Sequence, residues 1–146
     1  MKISPKEIIE TIESKIATVL VNEIVTYNYV STLDQVDIDA KKNFPRVYFN
    51  WSSSGSLNEN NNTVVITFMF VDVAEGKSDS VKRDYEIKSD MLQAASKFVD
   101  NLSREELLPD FQYAVSYDPL SGRYNNGLSG IQFSLTFAIE QPCFSI

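Results

Sequence analysis

The chain has 146 residues, 43% hydrophobic and 23% charged, the balance and size of one globular domain able to bury a real core. Its net charge of −7, from 20 acidic and 13 basic residues with no basic run longer than two, argues against a nucleic-acid-binding surface. With one cysteine, Cys143, and no histidine, the sequence excludes an intrachain disulfide, a Cys-His nucleophile and the commonest general base.

Ser4-Pro5-Lys6-Glu7 reads as a helix start: Ser4 caps, Pro5 suits the first helical position and Glu7 completes a capping box. Ile8, Ile9, Ile12, Ile16, Val19 and Leu20 then recur at helical spacing, predicting a helix over about 5–21. Glu10, Glu13 and Lys15 interrupt this stretch, which argues against an apolar leader.

Residues 24–30 are β-branched and aromatic and predict a strand; 31–43 read as a loop. Arg46 to Trp51 predicts the next strand, with Val47, Phe49 and Trp51 on one face and Arg46, Tyr48 and Asn50 on the other. Ser52 to Asn62 reads as a long polar loop. Thr63 to Val73 is apolar on both faces, as expected of a central strand covered on both sides, with one cover expected from another subunit. Its apolar run is far shorter than the roughly 20 residues of a membrane span.

A second helix is expected from about Asp84 to Ser103, burying Ile87, Met91, Ala94, Ala95, Phe98, Val99 and Leu102. Phe111 to Tyr117 predicts a strand and Asp118 to Leu128 a second long polar loop. Both long loops are expected to be mobile in the free protein. The closing strand is the clearest: Ile131, Phe133, Leu135, Phe137 and Ile139 alternate with Gln132, Ser134, Thr136 and Ala138.

The order α-β-β-β-α-β-β over residues 1–146 predicts a single α+β domain. Two helices pack on one face of a four- to five-stranded, mainly antiparallel sheet.

No catalytic constellation stands out. Asp34, Asp37 and Asp39 have a D-x-x-D-x-D spacing but lack the turn glycine and distal glutamate of a calcium loop, so a solvated loop is the better reading. Ser52-Ser53-Ser54-Gly55-Ser56 lacks the lysine and following helix of a phosphate cradle. Seven tyrosines and one tryptophan could stack on bases, but without a basic groove they read as core and interface residues. No acidic pair sits on adjacent core strands, against a glycosidase-like site. No cofactor, metal or enzymatic activity is expected, and residue chemistry alone names no function.

The element order, the two long polar loops and the tail from Gly127 to Cys143 resemble the tail-terminator and tail-completion proteins of tailed bacteriophages. The residues that carry the resemblance are the capped first helix, Phe44-Pro45-Arg46-Val47-Tyr48 as an early strand, the helix at about 84–103 and the closing SGIQFSLTFAIEQPC. The resemblance implies a structural virion protein, found in the tail or neck and in the host cytoplasm during assembly. It would form a homo-oligomeric ring, commonly hexameric, at the head-proximal end of the tail tube. Its partners would be tail-tube and portal or connector proteins, with no direct DNA binding and no membrane. Candidate subunit or ring contacts are Lys41, Lys42, Leu57, Lys82, Arg83, Arg123 and Tyr124. The alternatives are another phage connector or adaptor, a tail-tube subunit, or a small cytosolic binding protein.

Overall fold

The computed structural model describes residues 4–19, 26–29, 45–53, 61–73, 80–104, 115–123 and 128–140. Helix α1 spans Pro5–Val19. At its start the Ser4 hydroxyl accepts from the Glu7 N–H at 3.2 Å and donates to the Glu7 carboxylate at 3.2 Å. The cap therefore closes through side chains as well as through the Ile8 N–H bond to the Ser4 carbonyl. Ile8, Ile12 and Ile16, four residues apart, form its buried stripe.

Strands β1 (Thr26–Tyr29), β2 (Arg46–Ser53) and β3 (Asn61–Val73) are followed by α2 (Ser80–Ser103), β4 (Tyr117–Arg123) and β5 (Leu128–Glu140). The element order is the expected one, and the fold is α+β. Among the described residues the sheet has five strands in the order β1-β2-β3-β5-β4. All neighbours pair antiparallel except β1 and β2, which run parallel. Directly successive strands had suggested antiparallel pairing there; a parallel pair cannot be joined by a tight hairpin.

One face of the sheet carries Val47, Phe49, Val64, Ile66, Phe68, Phe70, Ile131, Phe133, Leu135 and Phe137. It packs in one core with the α1 isoleucines and with Ile87, Met91, Ala94, Ala95, Phe98 and Leu102 of α2. Phe98 reaches both Phe68 (5.2 Å between ring centroids) and Phe70 (5.8 Å), which seats α2 over the middle of β3.

The opposite face is also closed in part. Tyr48, Met69 and Val71 are fully buried within the single chain. This corrects the expectation that the second apolar face of β3 takes its cover from another subunit: that part of the face is already removed from water. Toward the other end the face becomes polar. Thr67 and Ser134, directly opposite in the ladder, join their hydroxyls at 2.9 Å, and Ser134 and Thr136 are exposed.

Parts of the two expected loops are strand. Ser52 and Ser53 belong to β2, and Asn61 and Asn62 belong to β3. Asp118 to Arg123 is not loop but most of β4, and of the predicted 111–117 strand only Tyr117 is in β4. Pairing with β5 overrides the weak strand propensity of Asp-Pro-Leu-Ser-Gly-Arg, and Pro119 is tolerated because β4 is an edge strand among the described residues, where a missing N–H need not break a ladder. Residues 54–60, 111–114 and 124–127 lie outside the described residues. Helix α2 begins a turn earlier than expected, at Ser80.

Candidate functional site

The sheet register aligns one aromatic residue from every strand. Tyr29 on β1 lies opposite Phe49 on β2, Phe49 opposite Phe68 on β3, Phe68 opposite Phe133 on β5, and Phe133 opposite Tyr117 on β4. Tyr29 meets Phe49 edge-on at 5.5 Å; Phe49 stacks on Phe68 at 6.0 Å and Phe68 on Phe133 at 5.3 Å. The row runs through the core and surfaces at both sides of the sheet: Tyr29 is 42% exposed and Tyr117 47%.

At the β1 side a second aromatic joins Tyr29. Trp51 was expected on the same face as Val47 and Phe49; those two are buried, yet Trp51 is 45% exposed. The ladder explains this. Asn50 faces Thr67 but Ser53 faces Val65, so β2 carries one extra residue, and this bulge breaks the alternation at Trp51. The Trp51 N–H donates to the Tyr29 hydroxyl at 3.4 Å, so the two aromatics are neighbours.

At the β4 side Tyr117, Asp118, Pro119 and Ser121 are exposed, while Leu120 is buried. Between β4 and α2 lies an apolar cleft of about 200 Å³ lined by Leu92, Ala95, Val99, Tyr117 and Phe133, among others. On the reverse face a polar cleft of about 360 Å³ is lined by Ser116, Asp118, Gln132, Ser134 and Thr136 along with Val115 and Phe133. Among the described residues no three metal-ligating side chains come together.

A polar node fixes the first turns of α2 to this side of the sheet. The buried Ser129 hydroxyl donates to Asp84 Oδ1 at 2.7 Å, and Ser121 donates to Oδ2 at 3.2 Å. Lys88, one turn along the helix, pairs with Oδ2 at 2.7 Å. Burial pushes the Asp84 carboxyl up, but the hydrogen bonds from Lys88 and Ser129, with the Lys88 charge, outweigh it and hold the group below the ordinary carboxylate value. Sequence reasoning missed this node. The i, i+4 spacing of Asp84 and Lys88 is a signal for a helical ion pair, but the two serines come from 37 and 45 residues away.

Of the predicted contact residues, Lys82 and Arg83 sit in the first turn of α2, and Arg123 ends β4, two positions beyond the serine that bonds Asp84. The topology thus brings these three basic positions to one end of the sheet. Lys41, Lys42, Leu57 and Tyr124 lie outside the described residues, as do Asp34, Asp37, Asp39 and Cys143. Among the described residues, no helix is long and apolar enough to cross a membrane. Compared with known proteins, the chain matches no family model and no curated sequence.

Proposed function

We propose that this chain is a structural subunit that joins copies of itself head to tail into a closed ring. Of the known assemblies, the ring that ends a phage tail tube and joins it to the head fits best. The observation that carries the reading is the aromatic row with two unlike exposed ends, Tyr29 beside Trp51 at β1 and Tyr117 at β4. Half-exposed aromatics are favoured at interfaces because they combine a large apolar area with a polar tip. Because the two ends differ, the natural contact is heterologous, β4 of one copy to the β1 side of the next, and such contacts build rings when the rotation closes.

The resemblance to tail terminators, which rests on element order and on the residues quoted above, supplies the setting. In that setting the partners are tail-tube and portal or connector proteins, and Lys82, Arg83 and Arg123 contact acidic surfaces of neighbouring rings. The net charge of −7 suits a ring around DNA that must not adhere to it. No enzymatic role is proposed.

The same unlike edges favour a second reading, a tail-tube subunit, in which the contacts continue into a long stack rather than stopping at one ring. Electron microscopy of the purified protein, alone and mixed with tail tubes, separates the two. A terminator gives single rings and caps tubes; a tube subunit gives extended tubes.

A further inference from the structure

We draw no further inference here: the strongest candidate, the stretch of β5 from Ser134 to Glu140 that runs past the end of the β4 register beside the polar cleft, carries nothing because the described residues do not show what covers it.

Discussion

Phe68 and Phe133 face each other across β3 and β5, their ring centroids 5.3 Å apart and their planes 18° from parallel. Phe68 also contacts Phe49 and Phe98, so one side chain ties three strands to α2. Phe68→Ala removes all three contacts and leaves a void in a close-packed core. The expected loss is about 3–5 kcal/mol. Tyr85→Ala, at a position 57% exposed, is the control and should stay within about 0.5 kcal/mol. Urea unfolding of both variants checks this; equal midpoints would mean that Phe68 is not the hub of the core.

Gly130 is a packing requirement. Its φ is +154°, a conformation L side chains rarely adopt, and a Cβ there would overlap the carbonyl oxygen of Phe70. That oxygen belongs to backbone, so it cannot swing aside. Gly130→Ala should cost about 2–4 kcal/mol, combining backbone strain with a displaced neighbouring strand. A cost below about 1 kcal/mol in chemical denaturation would show that β3 and β5 do not approach so closely.

Asp84 gives a pH dependence with a definite sign. Its folded pKa lies below the unfolded value, so the unfolded chain takes up a proton first as pH falls. The stabilisation is complete above the ordinary carboxylate value and is lost as pH drops through the lowered folded one. Asp84→Asn keeps an acceptor for Ser129 and removes the charge facing Lys88. The variant should be less stable than the native protein at neutral pH and flatter on the acid side. Parallel acid limbs for the two proteins would remove Asp84 as the cause.

The sequence disclosed the parts of the fold that obey a single period. The isoleucines of α1, the α2 stripe and the alternation of β5 each bury one face, so their spacing alone marks them. It did not disclose β4, because Pro119 and Gly122 look like loop until β5 supplies the pairing partner. Nor could it show that β1 runs parallel to β2, since strand direction depends on the path between them. Trp51 was grouped on one face with Val47 and Phe49 because a bulge has no signature in alternation. The aromatic row was half legible: each member is visible in its own strand, but only the register aligns Tyr29, Phe49, Phe68, Phe133 and Tyr117.

Unlike edges give a complementation test. Trp51→Arg alters the β1 side and Tyr117→Arg the β4 side, each at an exposed position. Either variant alone should fail to form rings, because every heterologous contact in a ring uses both edges. Mixed together, the two should give a dimer and nothing larger, joined through the one intact edge of each. Sedimentation velocity reads this directly. Rings from either single variant, or full assembly in the mixture, would contradict the assignment of the edges. Unchanged circular dichroism of each variant keeps the result from being one of folding.

Charge leads to a separate expectation. At about 150 mM salt the protein should not shift DNA in a gel, since productive binding needs several clustered phosphate contacts and the chain carries 20 acidic residues against 13 basic. Replacing Lys41, Lys42, Lys82 and Arg83 with alanine should instead weaken assembly, most at low salt, and leave the fold intact. A salt-sensitive DNA shift that these four changes abolish would mean that the basic positions serve nucleic acid.

The central claim is the closed ring, and negative-stain electron microscopy of the native protein, alone and added to tail tubes, tests it most directly. The account predicts single six-membered rings, free or seated on one end of the tube, that do not stack further. A strict monomer at high concentration, with no ring in the assembled particle, would contradict it.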